Sequence, residues 1–273
     1  MNSIKVNFRK KLNLFRYELV RMSNRAKAAH LASSLSCIDI ISVLYFKILN
    51  ISPGSSKSLK RDRFILSKGH AATALYVPLA YKGFFDKKNL LQYAKKDSLL
   101  EEHPNPKLNG VESATGSLGH GLSVGCGMAL GGKIKKQKYY TFVLMGDGEC
   151  NEGTVWEAAL FASSKKLKKL VAIIDYNKWQ GIGRTNEILN QEPIDLKWKA
   201  FGWNVFKVDG HDVEKITNVI KKIKQIKNEK PNIIIANTIK GKGIDFMEDD
   251  NNWHYRVPTD EEVEKVKEKL KIK

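Results

Sequence analysis

Two short segments hold the residue types from which chemistry can be built. Gly146-Asp147-Gly148-Glu149 follows the apolar run Tyr139 to Met145, and Asp175-Tyr176-Asn177 follows the apolar run Leu170 to Ile174. Asp147 and Asn177 carry hard oxygen ligands. If the two runs are neighbouring strands, these side chains stand about one strand spacing apart, which suits an octahedral ion such as Mg²⁺. Gly148 lets the backbone approach a ligand closely, and the N–H groups opening the next helix can accept an anion. Together they could hold a diphosphate–metal pair. An isolated Gly-Asp-Gly is usually only a turn; the asparagine at the end of the second run is what lifts this one above that reading.

The elements that must position these residues are legible as alternating strands and helices. Phe8, Leu12, Phe15, Leu19 and Met22 recur at helical spacing, and Ile38 to Leu49 reads as a second, mostly buried helix ended by Ser52-Pro53-Gly54-Ser55-Ser56. Phe64 to Leu66 is a short strand entering Ser67-Lys68-Gly69-His70, and helix follows over Ala71 to Tyr81. Glu101 to Gly116 is a long loop. Helices are expected from Gly119 to a stop at Gly131-Gly132, over Thr154 to Ser163, over Val213 to Ile226, and over Asp260 to Lys271. Trp203 to Val208 and Ile233 to Ile239 are two further strands. This alternation implies an α/β fold with a mainly parallel sheet covered on both faces, whose ligands sit at the carboxyl ends of the strands. The loops of interest therefore follow Met145, Ile174, Val208 and Ile239. The glycines inside the helix from Gly119 each cost about 1 kcal/mol relative to alanine, so close packing against another backbone is expected to compensate.

Composition narrows the classes. The 273 residues are 42% hydrophobic, enough for a full core without disulfide or metal staples. Cys37, Cys126 and Cys150 are odd in number and without paired spacing, which argues against a secreted disulfide framework or a zinc ribbon and for a reducing, cytoplasmic setting. The basic start, Met1 to Lys11, leads into no long apolar run, so no signal peptide is expected. Ile38 to Leu49 carries Asp39 and Lys47 and falls short of a membrane span. The formal charge is +18, yet 39 of the 47 basic residues are lysine, whereas base readout and planar phosphate forks favour arginine. Lysine runs such as Lys133 to Lys138 are more often solvated faces than nucleic-acid sites, an anionic small substrate fits equally well, and composition by itself does not choose.

Beyond these readings, the blocks have a family look. Gly146-Asp147-Gly148-Glu149-Cys150-Asn151-Glu152-Gly153 with Trp156-Glu157-Ala158, then Ile173-Ile174-Asp175-Tyr176-Asn177 and Gln180, resembles the thiamine diphosphate motif of transketolases. Asp62 to His70, His103-Pro104, Thr115 to Gly119, Val208 to Asp212 and Thr238 to Gly243 resemble further transketolase blocks in the same order, over roughly residues 8 to 265. The resemblance implies a three-layer thiamine-diphosphate-binding fold, with residues 1–273 forming one diphosphate- and metal-binding domain. The pyrimidine-binding domain, with the glutamate that promotes loss of the thiazolium proton, is then expected on a partner chain. The chain is thus similar to the N-terminal subunit of a split transketolase, inactive alone and assembled with a C-terminal subunit, as a heterotetramer.

The same resemblance implies roles. Asp147, Asn177 and the Trp179 carbonyl match metal ligands for Mg²⁺, Ca²⁺ or Mn²⁺. Gly148, Glu149, Asn177, His70, Gly116, Ser117 and Leu118 match thiamine diphosphate contacts. Glu152 and Glu157 match acidic residues that couple paired sites across a subunit interface. His30, His70, His103 and His254 match catalytic positions, where neutral imidazoles serve proton transfer on a sugar's hydroxyl and carbonyl groups. Three features depart from the family pattern: Ala29 and Ala32 flank His30 where glycines are usual, His120 stands in place of glutamine, and Gly181-Ile182-Gly183 is atypical. The implied activity is transfer of a two-carbon ketol unit from a ketose phosphate to an aldose. The alternatives are a ketol transferase on an unusual sugar, a deoxyxylulose-phosphate-synthase-like enzyme, an inactive interaction subunit, and a basic nucleic-acid-binding protein.

Overall fold

A computed structural model describes residues 2–272, with side chains from residue 7 onward. Met1 and Lys273, the outermost residues of the expected domain, lie outside the described residues. Five strands, β1 (Arg63–Leu66), β2 (Thr141–Gly146), β3 (Leu170–Tyr176), β4 (Asn204–Asp209) and β5 (Asn232–Asn237), form one all-parallel sheet in the order β1-β2-β3-β5-β4. β2 and β3 are direct neighbours, with Gly146 opposite Asp175.

Helices cover both faces. They are α1 (Asn2–Ala26), α2 (Leu31–Val43), α3 (Thr73–Lys82), α4 (His120–Ile134), α5 (Gly153–Ser164), α6 (Thr185–Ile188), α7 (Ile194–Ala200), α8 (Val213–Gln225) and α9 (Asp260–Lys269). Alternate residues of each central strand feed two cores. Phe142, Leu144, Val171, Ile173 and Ile234 join α1, α2, α3 and α8. Val143, Met145, Ala172, Ile174, Ile233 and Ile235 join α4, α5 and α7. Both faces are therefore dry, and the strands read as continuous apolar runs because each large apolar side chain withdrawn from water contributes about 1.5–3 kcal/mol.

Several expectations shift at the edges. The second helix begins earlier, at Leu31, and ends in a π-helical turn, Leu44–Ile48, before the Pro53 loop. Over Leu31–Ile48 it is long and apolar enough to cross a membrane, but 83% of that stretch is buried inside the fold, so its apolarity belongs to the core. Gly131-Gly132 does not stop α4, which continues to Ile134; Gly132 is small because the Tyr139 ring lies where a Cβ would stand 2.8 Å away. Close packing against a backbone is met at Gly121, whose added Cβ would fall 2.3 Å from Ser67 Oγ and 2.9 Å from its Cα; at Gly125 the neighbour is instead a side chain, Val143 Cγ2 at 2.4 Å. Gly127 and Gly131 meet nothing within 4 Å, so packing does not offset their cost.

Candidate active site

The site lies where the parallel strands end. Past β2, Asp147 is 1% exposed and cross-links the two central loops: its Oδ2 accepts the Lys178 N–H and the Thr185 hydroxyl, each at 2.9 Å. Its carbonyl accepts Gln191 Nε2 at 2.9 Å. Burial pushes the Asp147 carboxyl up to about 6, the Thr185 hydroxyl opposing that rise. Past β3, Asn177 is 6% exposed and its Oδ1 accepts the Trp179 N–H at 3.0 Å. Among the described residues no group of three His, Cys, Asp or Glu could hold a metal. A carboxylate and an amide oxygen alone suit a cation that takes its other ligands from phosphate and water, as Mg²⁺ does.

Between Asn177 and α6 the chain folds back on itself. Trp179 bridges Arg184, Gln180 N donates to Gly183 O at 2.9 Å, and the Trp179 indole and the Arg184 guanidinium both bond Asp249. The guanidinium also lies 3.7 Å over the Trp179 ring. The atypical Gly181-Ile182-Gly183 forms the tip of this hairpin. A Cβ on Gly181 would lie 3.1 Å from Tyr255 OH and 3.4 Å from His254 Nε2, and Ile182 is 85% exposed. The Gln180 side chain covers Gly148, where a Cβ would meet its Cγ at 2.8 Å, and its Nε2 is a buried donor with no partner. An unspent amide donor beside that glycine fits an anionic group at the start of the following turn.

Beside Asp147 stands a second buried carboxylate that the motif reading treated only as a strand end. Asp175 is fully buried and accepts Lys68 Nζ at 2.5 Å, Ser36 Oγ at 2.5 Å and the Thr238 hydroxyl. Burial alone would raise its pKa, but the Lys68 ammonium and these donors outweigh burial and hold it below the usual carboxylate range. Burial would likewise lower Lys68; the Asp175 charge outweighs it and leaves the lysine raised.

Three histidines from distant segments meet in one cluster. Ring centroids are 5.3 Å apart for His30 and His70, 5.1 Å for His30 and His254, and 6.2 Å for His70 and His254, with Tyr255 packed on His254 at 4.7 Å. Burial lowers the pKa of all three, His254 to about 3, so each imidazole is neutral at neutral pH. His30 caps α2 in the left-handed region at φ 66°, a conformation costly for a non-glycine residue, and its N–H donates to His254 O at 2.9 Å. Lys240 Nζ lies 2.8 Å from His254 Nδ1, and burial, assisted by Lys68, lowers the lysine to about 7.

The remaining residues singled out from sequence are spread around this centre. His103 is exposed on the long loop, which is held where Tyr76 OH donates to the carbonyls of His103 and Glu101. A Cβ on Gly116 would sit 3.0 Å from the His103 ring. Ser117 is exposed and Leu118 half-buried at the end of that loop. Glu149 turns inward: its carboxylate accepts Ser67 Oγ, the Gly119 N–H at 2.9 Å and the Gly146 N–H at 3.2 Å, tying the turn after β2 to the start of α4. Glu152 and Glu157 are exposed on this chain, one capping α5 and one on its outer surface. Of the departures, Ala32 is buried, its carbonyl accepting the Gly241 N–H, while His120 points outward from the first residue of α4. Sequence reasoning missed Lys68, Asp175, Thr185, Gln191, Lys240 and Tyr255. The two lysines and Asp175 lay inside blocks already noticed, Ser67 to His70, Thr238 to Gly243 and Ile173 to Asn177, without a role of their own; Thr185, Gln191 and Tyr255 carried no local signal.

Comparison with known proteins places this geometry. Residues 9–273 match the family described as transketolase, thiamine diphosphate binding domain. The chain is 44% identical to one of the separate subunits of the apulose-4-phosphate transketolase of Phocaeicola vulgatus over 251 residues, 92% of this chain and 89% of that one. It is 37% identical to a 6-deoxy-6-sulfo-D-fructose transketolase subunit of a Clostridium species, over 91% and 90% of the two chains. Human transketolase is 41% identical over 89% of this chain, a match that spans 38% of the human protein. The crystal structure of Campylobacter jejuni transketolase superposes with a TM-score of 0.90 at 30% identity, covering 96% of this chain and 42% of that one. The chain thus spans about two-fifths of the full-length transketolases it matches and nearly all of the separate subunits. It belongs to the transketolase family, among the N-terminal, thiamine-diphosphate-binding subunits of split transketolases.

Proposed function

We propose that this chain, joined to a C-terminal subunit bearing the pyrimidine-binding domain, transfers a two-carbon ketol unit from a ketose phosphate donor to an aldose acceptor. The observation that carries this reading is the buried Asp147 carboxylate past β2, next to the strand end that bears Asn177, together with a cluster of three neutral imidazoles, in a chain of this family. Asp147, Asn177 and the Trp179 carbonyl would hold Mg²⁺, with Gly148 and the Gln180 amide against the diphosphate. The chemistry that thiamine diphosphate supplies when bound is an electron sink for the ketol unit.

This chain's own part is binding, orientation and proton handling. His30, His70 and His254 are uncharged at neutral pH, so each can donate and accept on the hydroxyl and carbonyl oxygens of a sugar. When Lys240 is an ammonium it donates to His254 Nδ1 and leaves the proton of that ring on Nε2, the ring atom nearest Gly181. A substrate hydroxyl reaching Nε2 would therefore meet a donor. The methyl groups of Ala29 and Ala32 beside His30 in the sequence, and the atypical hairpin tip against His254, favour a second reading within this class, an unusual sugar as substrate. The named sugars of the two split relatives support it. Glu152 and Glu157 would meet a second copy in a heterotetramer, and three buried free cysteines suit a cytoplasmic setting.

Calorimetry with Mg²⁺ and thiamine diphosphate, on the chain with and without its partner, tests the reading. Binding in the assembled protein, followed by ketol transfer between a ketose phosphate and an aldose, is the expected result. No cofactor binding in the assembled protein would overturn it.

A further inference from the structure

His211 takes no part in the imidazole cluster, although its loop also lies at the carboxyl end of a strand. Its Nε2 accepts the Ile239 N–H at 2.9 Å. A backbone N–H can only donate, so the proton of the neutral ring sits on Nδ1, which lies 2.8 Å from Asp39 Oδ2. Asp39, 1% exposed on α2, also receives Arg16 of α1 through Nη2 at 2.7 and 2.5 Å. Arg16 Nε in turn donates to Lys242 O at 3.1 Å. The segment just past β5 is therefore gripped from outside at Ile239 and at Lys242, on either side of Lys240.

That grip matters because the ladder of β5 ends at Asn237, just before this segment. Thr238 N–H still donates to Tyr176 O at 3.1 Å; beyond it, the Lys240 carbonyl accepts the Asp249 N–H at 2.9 Å and the Gly241 N–H donates to Ala32 O at 3.0 Å, so Ile239 is held through His211. The Lys240 side chain runs the other way, into the site, and reaches His254 Nδ1 and, at 2.6 Å, Asn251 Oδ1. We propose that His211 is a positioning residue for the active site: held by Asp39 and Arg16, it fixes the Ile239 amide and so directs Lys240 onto His254. The inference rests on the functional reading above only in calling Lys240 part of an active site.

The test reads Lys240 directly in the full chain, without cofactor. With ¹³C,¹⁵N-lysine labelling, one ammonium signal titrates near neutrality, at about 7, and is absent in Lys240→Met. The charged groups facing it are Lys68, Asp147, Asp175 and Asp250, the neutral titratable ones are His30 and His254, and all are retained in the His211 variants. His211→Phe keeps the ring volume but has no acceptor, and the His211→Asn side chain is too short to reach Ile239. In both, the loosened segment lets water reach Nζ, and the midpoint rises by about one unit, so the uncharged fraction at pH 7 falls about fivefold. His211→Gln restores an acceptor at the distance of Nε2 and keeps the wild-type midpoint. An unchanged midpoint in folded His211→Asn, or a midpoint in His211→Gln displaced as far as in His211→Phe, would overturn the proposal. Should His211→Phe fail to fold, the Asn and Gln pair decides. Absence of cofactor binding in the assembled protein would overturn the functional reading and leave this titration to stand or fall alone.

Discussion

Asp147 and Asp175 end neighbouring strands, both buried, and the protein treats them in opposite ways. Asp175 has its cation inside the chain, Lys68 at 2.5 Å, and stays ionised. Asp147 makes no ion pair among the described residues; hydrogen-bond donors and the more distant Lys68 charge only partly oppose burial, which lifts it to about 6. The difference is what separates a structural charge from a binding charge. A carboxylate already paired in the fold gains little from an added cation, whereas one buried without a counter-charge gains the whole compensation when a divalent ion arrives.

The strongest way to break this contrast is to strip Asp175 of its partner. Lys68→Met leaves a buried carboxylate uncompensated and should cost about 3–5 kcal/mol in a urea unfolding curve. A double variant with Asp175→Asn should recover part of that loss, because the two changes share one interaction. The equivalent change at the other strand end should leave the fold alone. Asp147→Ala is expected to lower Mg²⁺-dependent thiamine diphosphate affinity by at least about a hundredfold by calorimetry, with apo stability within about 1 kcal/mol of wild type. Wild-type affinity in that variant would remove Asp147 from the metal site.

The pH responses should diverge as well. Asp147 has a raised folded pKa, so its contribution to apo stability is present at low pH and is lost as pH rises through about 6. Cation affinity runs the other way, since it requires the carboxylate, and should fall about tenfold between pH 7 and pH 5. Asp175 has a depressed pKa, so its contribution persists over that whole range and is lost only as pH falls below the ordinary carboxylate value. Chemical denaturation and calorimetry at pH 5 and 7 check both signs. The smallest effect is expected from Thr185→Val. Removing the hydroxyl that bonds Asp147 Oδ2 should raise that carboxyl further, weaken cation binding at pH 7 about threefold, and leave Asp175 untouched.

Legibility followed chain locality. The strands of the sheet and the turn after β2 were readable because apolar runs and glycine breaks are local features, and β2 and β3 are neighbours, so the segments carrying Asp147 and Asn177 leave adjacent strand ends. Asp175 was read only as the residue that follows the second apolar run, since its partner, Lys68, is 107 residues away and arrives from the loop after β1. Thr185 and Gln191, which hold Asp147, follow the atypical hairpin and sit in no recognisable pattern. Glu149 lies within the strongest motif, yet its orientation was invisible: the backbone donors of Gly119 and Gly146 turn its carboxylate inward.

Residue types in order were sufficient to establish a doubly covered parallel sheet, a hard-oxygen pair at two strand ends, and a set of histidines in family-like blocks, because periodicity, glycine placement and side-chain chemistry are properties of the chain itself. Charge states were decided only by the folded protein. Whether an aspartate is a free carboxylate, an ion-pair partner or a group near neutrality depends on how much water is left and which cation stands within about 4 Å, and those are distances between segments. The three imidazoles are kept neutral, Lys240 is brought near half-charge, and His211 is locked in one tautomer for that reason. Each is a consequence of burial and of neighbours drawn from other loops.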